Sequence, residues 1–156
     1  MTDLPNIRAA EAKDEDSICT LLPQLADFNV PERRNPDDLW QGDAALVKQI
    51  IAGEAPDSFC QVAVDDADGI LGVIVVTMRE ELMSHAPSAH LEAIVVAPQA
   101  RGQRLGERLL AHCESEAKAR GAQSLSLHVF SNNQRARNLY VKSGFDEELI
   151  RATKWF

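Results

Sequence analysis

Residues 93–110, AIVVAPQARGQRLGERLL, hold the chain's clearest case for chemistry. An apolar run stops at Pro98. A basic turn bearing Gly102 follows, and then the apolar spacing of a helix, with Gly106 near its start. A helix start offers unpaired backbone N–H groups and a partial positive charge, so it suits an anion. Glycine lets a phosphate come close to the backbone. The stretch therefore reads as a pyrophosphate cradle at the end of a strand. A P-loop needs Gly-Lys-Ser/Thr, and the dinucleotide fingerprint needs G-x-G-x-x-G; neither is here.

A second constellation follows at residues 132–145, NNQRARNLYVKSGF. It contains Tyr140, the only tyrosine of the chain. A phenol titrates near pH 10, so at neutral pH it holds a proton to give away. The alternative is a ring packed in the core.

Together the two stretches resemble the GNAT superfamily of N-acetyltransferases. The first is similar to that family's Arg-Gly-x-Gly-x-Gly acyl-CoA signature at Arg101, Gly102 and Gly106, with Arg104 where the middle glycine usually lies. The second is similar to Asn-x-x-Ala-x-x-Leu-Tyr-x-x-x-Gly-Phe at Asn133, Ala136, Leu139, Tyr140, Gly144 and Phe145. The resemblance covers residues 59–156 well and the N-terminal third in outline.

It implies acetyl-CoA as co-substrate, with its pyrophosphate on Arg101, Gly102, Gln103, Arg104, Leu105, Gly106 and Glu107. Ile94, Val95 and Val96 would pair with the pantetheine arm as an added strand. Asn133 would bond the pantetheine or cap the last helix. Tyr140 takes the general-acid position. Glu92 is the candidate general base; a solvated sheet residue is the other reading, and His90 and His128 are rival bases. The acceptor is an amine, either a small molecule or a peptide. An inactive acyl-CoA sensor of the same fold is the competing function, and a homodimer is compatible with the family.

Hydrophobic spacing supplies the elements that must position these groups. Residues 6–10 read as a strand, and residues 13–27 and 38–52 as helices separated by a Pro-containing loop. Residues 59–64 and 70–78 read as strands joined by a hairpin turn at 65–69. Residues 90–97, 124–130 and 148–156 read as further strands, and residues 101–120 and 133–143 as helices. Alternation along 90–97 sets His90, Glu92 and Ile94 on one face and Leu91, Ala93 and Val95 on the other. The expected fold is a single α/β (α+β) domain over residues 1–156. It is a GNAT-like three-layer arrangement with a mixed, mostly antiparallel central sheet and helices on both faces.

Composition bounds the function. The chain has 156 residues, 45% hydrophobic and 26% charged, as in an ordinary globular domain. Its net charge of −8 argues against nucleic acid as a partner. The apolar run at 70–76 is too short to cross a bilayer. Three widely spaced cysteines show no metal-ligand spacing and no disulfide framework. No basic-then-apolar leader opens the sequence, and a cytoplasmic location is expected.

Overall fold

A computed structural model describes residues 3–156. Its elements are β1 (Asn6–Ala9), α1 (Glu15–Leu21), α2 (Gln41–Ile51), β2 (Ser58–Val64), β3 (Ile70–Glu80), β4 (Pro87–Val96), α3 (Leu105–Ala119), β5 (Leu125–Leu127) and α4 (Gln134–Lys142). The strands form one sheet in the order β1-β2-β3-β4-β5. The first three junctions are antiparallel and β4–β5 is parallel. A parallel neighbour requires a crossover, and α3 supplies it.

The sheet buries a separate apolar layer on each face. Leu105, Leu109, Leu110, Cys113 and Ala117 of α3 pack on Phe59, Ala63, Ile74 and Val76, with Leu139 and Tyr140 of α4 beside them. Ile18 and Leu22, with Val47 of α2, pack on Cys60, Val62, Val73 and Val75. The four-residue apolar repeat of α3 is what makes one helix face fit this role. Among the described residues, no helix is long and apolar enough to cross a membrane.

Several boundaries differ from the sequence reading, each for a local reason. The first helix ends at Leu21 and gives way to a 3₁₀ turn, Leu22–Ala26, that contains Pro23. Proline has no N–H to carry the α-helical ladder onward. The strand expected over 124–130 pairs only at Leu125–Leu127. The final strand expected at 148–156 does not form; no regular element follows α4.

The most consequential difference lies inside β4. Val75 of β3 faces Ala93, but the next residue, Val76, faces Leu91. Glu92 is the extra residue of a β-bulge, which breaks the two-residue alternation. Leu91, Ile94 and Val96 therefore join the α3 layer, while Ala93 and Val95 join the α1/α2 layer. The expected grouping of Leu91 with Ala93 and Val95 is corrected by that one residue.

The α3 layer is tight against β3 at Gly72. A Cβ there would stand 2.8 Å from Leu109 Cδ1 and 3.2 Å from the Val95 carbonyl oxygen. Leu109 is fully buried and cannot step aside. G72A is expected to lower the free energy of unfolding by about 1–3 kcal/mol. Urea denaturation checks this, and an unchanged midpoint would show that the layer has slack.

Candidate active site

Beyond the bulge, β4 parts from β5. Their pairing covers only Ala89–Leu91 against Leu125–Leu127. The exposed edge that results is not uniform. The Ala97 N–H donates to the Leu71 carbonyl at 2.8 Å, toward β3, and the Val96 carbonyl points the other way, accepting from Arg101 Nε at 3.2 Å. Alternation in an antiparallel ladder then turns the backbone groups of Ile94 and Val96 to the open side and those of Val95 to β3. Of the three residues expected to pair with an added strand, Ile94 and Val96 have the free edge. Val95 does not, and the Val96 carbonyl is already taken.

The turn into α3 is a row of donors. Among the described residues, the N–H groups of Gly102, Gln103, Arg104, Leu105, Gly106 and Glu107 meet no acceptor. The first paired amide is that of Arg108, which donates to the Arg104 carbonyl at 3.2 Å. No side chain caps the helix. The left-handed φ of +79° at Gly102, with open space where a Cβ would be, leaves its backbone approachable. Arg104 is also left-handed, with φ +61°. That conformation disfavours a side chain by about 1–2 kcal/mol, which explains why glycine suits this slot. The exposed Arg104 guanidinium pairs with Glu107 at 2.9 Å. Leu105 drops its side chain into the core and anchors the first turn.

Two residues of this stretch have other duties than the sequence suggested. A Cβ on Gly106 would meet Leu139 Cδ2 at 3.2 Å, so its missing side chain makes room for α4 while its N–H stays in the free donor row. Arg101 does not aim its charge into the turn. Its guanidinium holds Asp27 at 2.9 Å and Gln24 at 3.3 Å, besides the Val96 carbonyl. It ties the segment after α1 to the end of β4, and it holds the Asp27 carboxyl below the usual range.

A cavity opens where the strands part. Its polar lining is Glu92, His128, Asn133 and Tyr140, set among Leu25, Phe28, Leu39 and Ile94. The Tyr140 ring stands edge-on to Phe145 at 5.8 Å, and burial pushes its phenol up to about 12. Among the described residues its hydroxyl has no hydrogen-bond partner. Asn133 caps α4, its side-chain oxygen accepting from the Ala136 N–H at 3.4 Å, and so fixes the helix that carries Tyr140. His90 is 4% exposed and bonded through Nδ1 to Ser126 Oγ at 2.8 Å. Burial, Arg79 and His128 push it down to about 4, so it is neutral and structural. His128 meets it edge-on, ring centroids 4.9 Å apart, and reaches the cavity.

One acidic residue near this cavity escaped the sequence reading. Asp43, in the first turn of α2, is half-buried and has no ion pair or hydrogen bond among the described residues. Burial, and then the charge of nearby Glu92, push its carboxyl up to about 7. The signal was available: Asp43 lies four residues before the buried Val47, on the apolar stripe of its helix.

A five-stranded sheet whose fourth strand bulges and parts from the fifth, with a helix start full of free donors at that strand's end, defines an acyltransferase fold. The chain belongs to the acetyltransferase (GNAT) family, whose model matches residues 21–145. It is 26% identical over 148 residues to an aminoalkylphosphonate N-acetyltransferase of Salmonella typhimurium, covering 95% of this chain and 89% of that one. It is 30% identical over 155 residues to the thialysine N-epsilon-acetyltransferase of Bos taurus, covering 96% and 88%. AAC(6')-Iy, solved in complex with the bisubstrate analogue CoA-S-monomethyl-acetylneamine, shares the fold with a TM-score of 0.75 at 19% identity, covering 99% of this chain and 100% of that one. The protein is thus an N-acetyltransferase, with acetyl-CoA as its acyl donor.

The Asn133 cap has a measurable value. N133A is expected to cost about 0.5–1 kcal/mol of stability. Chemical denaturation checks it, and a loss near zero would mean that the long 3.4 Å bond contributes nothing to α4.

Proposed function

We propose that this enzyme acetylates a cationic primary amine by direct attack on acetyl-CoA bound at the opening between β4 and β5. The observation that carries the reading is that one cavity holds Glu92, Tyr140 and the free edge of Ile94. The donor row of 102–107 would take the pyrophosphate, and the Ile94 and Val96 edge would take the pantetheine amides. Asn133 keeps its side-chain N–H₂ free for the same arm while its oxygen caps α4.

The proton work falls to two residues. An alkyl amine is protonated at neutral pH, with a pKa of about 10. Glu92 removes one proton so that the nitrogen lone pair can attack. The nitrogen–carbon bond forms, the carbon–sulfur bond breaks, and a backbone N–H of the open β4 edge faces the developing oxyanion. Tyr140 donates to the departing sulfur. Passing a proton from a phenol at about 12 to a thiolate whose thiol titrates near ~8.5 runs uphill. The hydroxyl therefore acts first as a hydrogen-bond donor to the growing charge. The second proton shed by the nitrogen restores it.

Asp43 supports a cationic acceptor. It and Glu92 are two acids with no basic partner among the described residues, in a chain of net charge −8. An ammonium group would supply the missing countercharge.

Y140F is expected to lower kcat by about 100-fold and to leave the acetyl-CoA Kd within about twofold. Unaltered kcat would remove Tyr140 from the mechanism. Titration calorimetry with R104G separates backbone from side-chain grip. Since the row of N–H groups remains, Kd for CoA should rise by no more than about fivefold, or ~1 kcal/mol. A larger loss would make the Arg104 guanidinium the main phosphate contact.

Asp43 gives a pH signature whose sign is fixed. Its folded pKa, about 7, lies above the unfolded value of 3.8. The folded state holds the proton more tightly, so this group's contribution to stability falls as pH rises from about 4 through 7. Above pH 7 the charged carboxylate is available to the acceptor. D43N is expected to be more stable than the parent at pH 8. It should also lose the fall in acceptor KM that the parent shows across neutrality. Identical KM–pH profiles in the two proteins would exclude Asp43 from acceptor binding.

A further inference from the structure

Among the described residues, five arginines are half-buried: Arg8, Arg34, Arg101, Arg108 and Arg137. Four of them have a bonded partner. Arg8 holds Asp14 at 2.7 Å, Arg101 holds Asp27 at 2.9 Å and Arg137 holds Glu147 at 2.7 Å. Arg108 donates to the Pro5 carbonyl at 2.9 Å. Arg34 is the exception. Among the described residues its guanidinium meets no carboxylate and donates no hydrogen bond.

What Arg34 has instead is aromatic. Its guanidinium carbon lies over the Trp155 ring, 4.7 Å from the centroid, and 6.0 Å from that of Phe130. A cation over a ring is attracted by the electron density of its face. That contact accepts none of the N–H groups. They remain a planar fork of donors, the shape that matches an oxyanion. The same rings set the fork beside the acceptor cavity. Phe130 lines that cavity together with Glu92 and Tyr140, and Phe28 joins it there, ring centroids 5.5 Å apart. The Asn132 side chain donates to the Asn29 carbonyl at 2.6 Å and so ties the loop before Arg34 to the turn after Phe130. Five residues beyond Arg34, Leu39 lines the same cavity. One cavity therefore has an unpaired acid in its lining and an unpaired guanidinium at its Phe130 border.

We propose that Arg34 is a specificity-determining residue for an acceptor that carries an oxyanion, a carboxylate or a phosphonate, at the end opposite its amine. The proposal rests on the reading that Glu92 and Asp43 receive the ammonium. An acceptor with both charges sets its ammonium against the acids and its oxyanion against the guanidinium, so no charge of the site is left unmatched. A plain alkylamine meets only the acids. The net charge of −8 attracts cations at long range and repels anions, so the anionic end needs a local partner. Arg34 is the half-buried arginine free to be one, and a hydrogen bond between two charged groups is stronger than a neutral one.

Thiol release from acetyl-CoA tests this with straight-chain ω-amino acids of graded length, the matching ω-aminoalkylphosphonates and alkylamines of equal length. At the best length, the KM of the zwitterion is expected to lie below that of the alkylamine by about 10-fold or more. R34Q should raise the zwitterion's KM by about the same factor, with a smaller change in kcat, so that the two kinds of acceptor become alike. R34K keeps the charge and loses the fork, and should fall between. A preference shared by both acids supports the oxyanion as such, and a preference for one names it. Equal KM values across the whole series in the parent overturn the proposal and leave the amine acetyltransferase reading intact. An R34Q loss of equal size for the alkylamine means that Arg34 only holds the loop, which also overturns it. Failure to acetylate any amine, by a protein that binds acetyl-CoA, is the separate outcome that brings down the underlying reading and this proposal with it.

Discussion

One extra residue in one strand governs the working half of this molecule. The bulge at Glu92 sits between β3, to which β4 stays bonded, and β5, from which β4 departs. A bulge sharpens local twist and re-aims side chains. Here it leaves Ile94 and Val96 with a free edge, carries Glu92 toward α2, and keeps Leu91 under α3. Without it, β4 and β5 could continue together, and the cavity holding Tyr140 would be closed by sheet hydrogen bonds.

The site is tuned by burial more than by opposing charge. The Tyr140 phenol is pushed up by burial alone, and Asp43 mainly by burial. Neither meets a cation among the described residues. The arginines of the donor turn and of α4 are committed elsewhere: Arg101 to Asp27, Arg104 to Glu107, and Arg137 to Glu147. The pocket that results is proton-rich and acidic. At the other end, the donor row at the start of α3 supplies partial positive charge from backbone alone, which needs no buried cation.

Much of this was legible in the sequence where local rules and tertiary demands agree. The helix read over 101–120, which begins in the structure at Leu105, the hairpin turn at 65–69, and the placement of Asn133 at the head of the helix that carries Tyr140 followed from spacing and end signals. The reading faltered where a single residue alters the phase. Glu92 looks like any alternating strand residue, so the faces of Leu91 and Ala93 were misjudged. The duties of Arg101 and Gly106 were hidden for a different reason. A motif names residues that recur beside a ligand, and it does not say whether they touch the ligand or brace the neighbouring chain. Their partners, Asp27 and Leu139, lie 74 and 33 residues away along the chain. Asp43 was missed because no motif covers residues 38–52, where only its place on the apolar stripe four residues before Val47 marks it.

The short β4–β5 seam has a consequence for motion. Three register pairs join these strands, helped by Ser88 to Ser124 at 2.8 Å and His90 to Ser126 at 2.8 Å. Everything after α3 is attached through that seam, through the apolar contacts of α4 and Phe145, and through the segment after α1, where Asn132 donates to the Asn29 carbonyl at 2.6 Å and Phe130 meets Phe28 at 5.5 Å. A unit with so few backbone bonds opens at lower free energy than the β2–β3–β4 centre. Its amides will exchange with solvent as a cooperative group, ahead of the central strands. A ligand that lies across the seam, touching β4 on one side and α4 on the other, would slow that exchange in residues it never contacts.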